Sequence, residues 1–302
     1  MFNSLFLKDG FTFLRVRAFL EVAAAGGISK AVGPDPGKQS QYSRQIGELE
    51  DFFGVELFQK RGKAMVLTES GSQLLRISRE AFHGFEDFAR VCNKDTIRIT
   101  IGGGDALLHW LVTPQLGTVS RKFPAVSLCV QNLRSTDVVA GLRDLSLDLG
   151  LVRESALPSD LARKQIGDLK FGLYVPRSLL RTPAPATFSW VAQNLPLACQ
   201  HSDGEFQHQL QAAALKAKTP IRIAVECETF PQAAQLLLTE AYAAVLPSIA
   251  SRFLDARKFV EVPATWLKTL RRPIVLAWNK RTTRVRPITS EVCSALSSLC
   301  TF

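Results

Sequence analysis

The sequence is poor in the residues that carry most catalytic chemistry and most cross-links. Its four histidines, His83, His109, His201 and His208, fall in no H-E-x-x-H and beside no paired cysteines, so a metal has no candidate ligand set. His201 and His208 stand seven positions apart, about two turns if helical, and solvated or capping roles suit them better than ligation. Six cysteines, Cys92, Cys129, Cys199, Cys227, Cys293 and Cys300, occur without any C-x-x-C. That scatter excludes a disulfide-dense scaffold and reads as buried thiols in a reducing compartment. Neither a G-x-S-x-G elbow nor a G-x-G-x-x-G fingerprint is present. Catalysis therefore lacks a candidate residue, no cofactor or metal is expected, and the chain is not expected to be an enzyme.

Long apolar runs are missing too. The longest uncharged stretch, 182–202, carries Pro183, Pro185 and Pro196, so no membrane-spanning helix is expected. Lys8, Asp9, Arg15 and Arg17 break up the N-terminal apolar residues, unlike an export signal, and the cytoplasm is the expected compartment.

What the chain does have is 46% hydrophobic residues over 302 positions and a net charge of +10, enough for folded cores and for attraction to a polyanion. The charge is unevenly placed: residues 1–95 carry a net +1 and residues 96–302 a net +9. Specific binding to nucleic acid must therefore be argued from placed residues, not from the total.

Val16, Phe19, Leu20 and Ala23 recur at helical spacing, and Gly26-Gly27 ends that helix. A short helix begins at Ser29, a good N-cap, and must stop by Val32, because Gly33-Pro34-Asp35-Pro36-Gly37 cannot continue it. A third helix, about 38–53, places Tyr42, Ile46, Leu49 and Phe53 on one face, and its other face begins with Gln39, Ser40, Ser43 and Arg44. Helix, short helix, turn, then a helix with exposed Gln, Ser and Arg is the pattern of a helix-turn-helix. The chemistry suits base edges, since Gln pairs with adenine and Arg with guanine or phosphate. On a lone helix the same residues would simply be solvated.

Two short extended runs around Lys60-Arg61-Gly62-Lys63 then read as a hairpin wing whose basic tip suits phosphates or a minor groove. Thr68 caps a long helix to about Cys92. Along it Leu74, Ser78, Ala81, Phe85, Phe88 and Cys92 repeat as a heptad seam, with Leu75, Phe82 and Ala89 alongside. Packing onto the chain's own core would cover that ribbon, but a self-dimerising helix explains the heptad more directly, with Leu74, Ala81, Phe85 and Phe88 as dimerisation residues. Two-fold symmetry would call for a pseudo-palindromic DNA site.

Several blocks in order, Phe19-Leu20-Glu21-Val22-Ala23, Gly27-Ile28-Ser29-Lys30-Ala31, Gln39-Ser40-Gln41-Tyr42-Ser43-Arg44-Gln45-Ile46, Gly54-Val55-Glu56-Leu57-Phe58 and Leu67-Thr68-Glu69-Ser70-Gly71, resemble the LysR-type transcriptional regulators. By that resemblance Gln39, Ser40, Gln41, Ser43 and Arg44 fall where the family reads the major groove, and Arg61 and Lys63 fall on the wing. One departure stands out: Val32-Gly33-Pro34-Asp35-Pro36 interrupts the second helix that the family usually continues.

Beyond residue 95 strands and helices alternate, which implies an open α/β sheet with ligands beyond the carboxyl ends of its strands. The strand at 96–101 runs into Gly102-Gly103-Gly104-Asp105, read as a glycine turn, and Ser135-Thr136 and Arg153 lie at further strand ends. A second unit contains strands near 171–176, 197–200, 221–225 and 245–247; the strand 274–278 and a helix of about 287–300 return to the first. This half resembles the type 2 periplasmic-binding-protein fold of LysR-type effector domains. The resemblance implies Gly104, Asp105, Ser135, Thr136, Gln200, Glu228 and Thr229 as cleft residues, to which the strand-end argument adds Arg153. Arg134 or Arg153 near a helix N-terminus suggests a small organic anion, although Asp105 and Glu228 could pair with those arginines and leave the site neutral.

The expected fold is α/β overall: a winged helix-turn-helix at 1–68, a linker and dimerisation helix at 69–95, and an effector-binding domain at 96–302. Its first lobe covers about 96–169 and 271–302, and its second about 170–270. The expected function is a ligand-responsive regulator binding double-stranded DNA and a small-molecule effector, assembled as a dimer with a tetramer beyond it, and with RNA polymerase as a further candidate partner. The alternative is a small-molecule binding protein that has lost specific DNA contact, motivated by the proline-rich turn. The surplus charge of the larger half would answer either an anionic effector or extra DNA contact through Arg281, Arg284 and Arg286.

Overall fold

The computed structural model describes residues 9–62, 64–180, 187–200, 205–216, 218, 221–264 and 266–302, so Lys63 and His201 lie outside the described residues. The chain divides into two compact units. One is Met1–Asp95 with Arg143–Ser146 and Arg284–Arg286; the other is Thr96–Leu142, Leu147–Thr283 and Pro287–Phe302.

In the first unit, α1 (Phe13–Ala25) starts where the Thr12 side chain accepts the Arg15 N–H at 3.3 Å, and it stops at Gly26, whose φ of 71° closes the helix. Helix α2 (Ile28–Val32) is capped by Gly27 and not by Ser29, which lies inside it. Helix α3 (Pro36–Phe53) begins two residues earlier than the proline-rich turn suggested. Pro36 occupies the first turn, where its missing N–H costs nothing, and the Asp35 carboxylate accepts from Gly37 N at 2.9 Å and Lys38 N at 3.2 Å. The sequence that ends one helix thus starts the next.

The core of this unit joins Val16, Phe19 and Val22 of α1 to Ile46 and Leu49 of α3, and to Leu57, Phe58 and Leu75. Each such buried side chain stabilises by roughly 1.5–3 kcal/mol relative to exposure. Phe52 is buried and Phe53 is 38% exposed, the reverse of the expected face. Phe52 and Phe53 lie three and four positions on from Leu49, on the same helical face, so the elements packed against α3 and not the helical spacing decide which ring turns inward.

The wing is the antiparallel pair β1 (Phe58–Arg61) and β2 (Ala64–Leu67), with Arg61 opposite Ala64 and Gly62 at φ 64° in the turn. Helix α4 (Glu69–Cys92) is capped by Thr68, which accepts from Gly71 N at 3.0 Å. A side chain at Gly71 would drive its Cβ onto the Leu57 carbonyl oxygen, so only glycine lets helix and wing approach here.

The second unit holds two five-stranded sheets. In the first, β3 (Ile97–Gly103) pairs in parallel with β4 (Val126–Asn132) and β5 (Leu149–Arg153). Across β5, β12 (Arg272–Trp278) runs antiparallel and also pairs β6 (Ala162–Leu169), giving the order β4-β3-β5-β12-β6. In the second, β7 (Phe171–Pro176), β8 (Leu197–Gln200), β9 (Ile223–Cys227), β10 (Ala243–Pro247) and β11 (Phe259–Val262) take the order β11-β7-β10-β8-β9. The chain changes sheets between Leu169 and Phe171 and returns between Val262 and Arg272.

Gly102 and Gly103 lie inside β3, paired with Gln131 and Asn132, and not in a glycine turn. Their Cβ positions are filled by neighbours, Leu147 Cδ1 at 2.6 Å from Gly102 and Leu108 Cδ2 at 3.2 Å from Gly103, so these glycines serve packing. Only Gly104 leaves the strand, as the N-cap of the short helix α5 (Asp105–Leu107).

Candidate nucleic-acid and effector sites

On the first unit, the N-terminal turns of α3 present Ser40, Gln41, Ser43 and Arg44 exposed. Arg44 is 74% exposed and only loosely paired with Glu48 at 3.9 Å, because Glu48 is held by Arg15 Nε at 2.6 Å. Its guanidinium keeps the reach a phosphate or guanine contact needs. Gln39 is partly buried, and its Nε2 donates to the Gly33 carbonyl at 2.7 Å. That bond closes the glycine–proline turn onto α3 and fixes the amide. One of the two Nε2 hydrogens is taken, and the amide still has a second to offer.

An open groove of about 600 Å³ runs between Ser29 and Lys30 of α2, Gln39, Ser40 and Ser43 of α3, and Met65 of the wing. The wing is tied to the scaffold by Glu50, whose Oε1 accepts from Leu57 N at 2.7 Å and Phe58 N at 3.3 Å. Arg61 is exposed at its tip. Hydroxyls, an amide and a guanidinium on one helix face, flanked by a basic hairpin, form a surface that can offer donors and acceptors to base edges and charge to phosphates.

Along α4 the heptad seam divides. Leu74 packs partly buried on the core of its own unit and Ser78 is buried, whereas Ala81 is exposed, Phe85 is 56% exposed and Phe88 71%. Phe85 meets Phe13 edge-on at 5.6 Å. Ile77 and Val91 extend the exposed apolar surface.

In the second unit, Gly104, Asp105, Ser135, Thr136 and Arg153 lie at the carboxyl ends of the parallel strands β3, β4 and β5. Gln200 ends β8 and Glu228-Thr229 follows β9, the parallel pair of the other sheet. Gln200 Nε2 donates to the Glu228 carbonyl at 3.0 Å. Thr229 and Gln232 form a reciprocal cap on α10 (Phe230–Leu238), with Gln232 Oε1 accepting from Glu228 N at 3.0 Å and Thr229 N at 3.3 Å. Helix α5 packs against α10, which brings the turn of Asp105 beside the helix that Thr229 caps.

Arg272, the first residue of β12, is a further candidate that the sequence pattern does not single out. Its Nε and Nη2 atoms are buried with no hydrogen-bond partner. Its guanidinium carbon lies 5.7 Å from the ring centroid of Phe171 and 5.4 Å from that of Phe206. Burial, and then the charge of Arg153, press its pKa down to about 10, so it remains charged at neutral pH. Nothing in periodicity marks such a residue; only a cation at the start of an otherwise apolar strand hints at it.

Arg286, expected as a DNA contact, is instead buried at 6% side-chain exposure and forked onto Asp87 through Nε at 2.6 Å and Nη2 at 3.0 Å. The Cys199 thiol is buried and pushed up to about 12 by desolvation, and burial raises Cys293 and Cys300 to about 11, so none supplies a thiolate at neutral pH. Among the described residues no cluster of three or more His, Cys, Asp or Glu could hold a metal, and no helix is long and apolar enough to cross a membrane.

Residues 13–72 match the family described as bacterial regulatory helix-turn-helix protein, lysR family, and residues 94–290 match the LysR substrate binding domain. Among curated proteins, the uncharacterized HTH-type transcriptional regulator YnfL of Escherichia coli K12 is 28% identical over 48% of this chain and 51% of its own, so the chain spans about half the length of that relative. A full-length OxyR variant from Pseudomonas aeruginosa superposes with a TM-score of 0.64 at 19% identity, covering 96% of each chain. Full-length LysG of Corynebacterium glutamicum, solved with bound effector arginine, gives 0.61 at 14% identity over 95% of this chain and 99% of its own. These likenesses at low identity speak for the fold, and the two family matches, which between them take in most of the sequence, establish that the chain belongs to the LysR family of bacterial helix-turn-helix proteins.

Proposed function

We propose that this chain is an effector-responsive transcriptional regulator acting in the cytoplasm. Ser40, Gln41, Ser43 and Arg44, with Gln39 braced behind them, read base edges in a major groove, and the wing around Arg61 and Lys63 holds the neighbouring phosphates. Dimerisation uses the exposed part of α4 around Ala81, Phe85 and Phe88; so much apolar surface on one helix calls for a partner. Two copies related by a two-fold axis would read a pseudo-palindromic site. The effector, a small organic molecule, binds where Gly104, Asp105, Ser135, Thr136 and Arg153 at one sheet's rim meet Gln200, Glu228 and Thr229 of the other, and binding shifts the equilibrium between arrangements of the two sheets.

The observation that carries the DNA-binding reading over a pure ligand-binding one is the Asp35 cap with the Gln39–Gly33 bond. Together they rebuild the turn where the sequence departs from its family, so α3 keeps a structured N-terminal end. Replacing Arg44 by alanine tests it. The variant should lose site preference by ~1 to 3 kcal/mol while keeping weak, salt-sensitive binding to random duplex. Unchanged discrimination between specific and random DNA would favour the ligand-binding alternative.

A further inference from the structure

Arg272 carries more than its place in a strand. Two other arginines show how a guanidinium is satisfied in this protein. Arg286 sets Nε and Nη2 on the two oxygens of Asp87 at 2.6 and 3.0 Å, and Arg257 sets the same pair on Asp255 at 3.2 and 3.0 Å. Nε and Nη2 form the side of the guanidinium whose two parallel N–H bonds match a carboxylate. In Arg272 these two atoms are the ones left buried and unpartnered. Burying a charged group without hydrogen bonds is expensive, and a fold that only needed the volume would do better with a methionine or leucine.

The surroundings add two further facts. Arg272 leads β12 of one sheet, two residues before Ile274, which pairs Arg153, so a second cation stands near it. Its guanidinium rests on Phe171 of β7 and on Phe206 of α9 (Glu205–Lys216), elements of the other sheet's layer. Phe171, Phe206 and Phe230 form a continuous aromatic wall, with ring centroids 4.4, 5.0 and 5.6 Å apart. Stacking on rings satisfies the flat face of a guanidinium and leaves its edge free to donate.

We infer that the Nε–Nη2 edge of Arg272 is the receptor for the carboxylate of a small organic acid, whose apolar body lies against the Phe171–Phe206–Phe230 wall. The inference rests on the reading of this unit as effector-binding and names the chemistry of the effector. Because the edge is closed to water, a ligand reaches it only when residues of the two sheets part. Carboxylate binding and the spacing of the sheets are then one equilibrium, as a regulator's ligand requires.

The test is thermal unfolding of the full-length protein in sodium benzoate and sodium acetate, against sodium chloride and inorganic phosphate at equal ionic strength. Carboxylates should raise Tm by about 2 °C or more beyond chloride, and phosphate should not. R272M should lose the carboxylate-specific shift; so should R272K, which keeps the charge but not the fork and guards against a folding failure of the first variant. R257M, which removes one exposed charge elsewhere, should keep it. A carboxylate shift no larger than that of chloride, or one retained in full by R272K, overturns the proposal. If the protein then still recognises a DNA site and responds to a neutral compound, the fork alone is wrong; if it recognises no site and responds to no compound, the regulator reading falls with it.

Discussion

The ion pair between Arg286 and Asp87 gives a prediction with a definite size. Arg286 has 6% side-chain exposure and Asp87 18%, and both fork bonds are short. Asp87→Asn keeps the shape but removes the countercharge, leaving a desolvated guanidinium. Breaking a fully buried pair from one side costs ~3–5 kcal/mol. Asp87 is near enough to water for partial relief, so a loss of about 2 kcal/mol is expected. Arg286→Met leaves the more exposed carboxylate behind and should cost about 1 kcal/mol. The double variant D87L/R286M removes both charges together and should be less damaging than the sum of the singles, with a coupling of about 1–2 kcal/mol. Urea unfolding followed by helical circular dichroism reads all three, and the loss should change little with salt because the pair is mostly buried. A D87N variant within about 0.5 kcal/mol of wild type, or strictly additive singles, would refute the argument.

Four other outcomes follow from the structure. Gly71→Ala forces a Cβ against the Leu57 carbonyl oxygen and should destabilise the wing-bearing unit by about 2 kcal/mol or more, seen as an earlier urea transition; a neutral effect would mean the helix–wing contact is looser than described. Native protein treated with a thiol reagent at pH 8 should modify Cys92, which is exposed, well before Cys199, Cys293 or Cys300. Those three thiols ionise near pH 9 in the unfolded chain but near 11 to 12 when folded, so the unfolded chain binds fewer protons above pH 9 and stability should fall from there towards pH 11, by at most ~1.4 kcal/mol per unit and thiol; a flat profile contradicts this. Gln39→Ala should cost about 1 kcal/mol of stability and also weaken site preference, and loss of neither would remove Gln39 from both the turn and the reading face.

Much of the first unit was legible because local rules act within a few residues. Helix-stopping glycines, the Thr68 cap and the two extended runs of the wing all announce themselves in the sequence. The proline-rich turn shows its block but not its second role, since the same Asp-Pro pair that stops one helix caps the next. Phe52 and Phe53 show the limit of periodicity: both fit a helical stripe, and which one turns inward depends on the facing elements. Strand β6 went unread because Arg163, Lys164 and Gln165 make it look like surface; it is a strand because β12 pairs along its length. The strand-end rim could be inferred from α/β alternation, but Arg272 could not. An unpaired buried cation is a property of what surrounds it, and the rings beneath it come from 66 and 101 positions upstream. Arg286 is the same lesson with opposite outcome, a presumed surface charge turned inward to a carboxylate on a distant helix.

The most direct test of the account is selection of DNA by the full-length protein from a pool of random duplexes. The account predicts enrichment of an interrupted inverted repeat, with half-sites that lose definition when Arg44 becomes alanine, and an enrichment or affinity that shifts when effector is added. Recovery of sequences no different from the starting pool, by a protein that still unfolds cooperatively and binds small molecules, would contradict it.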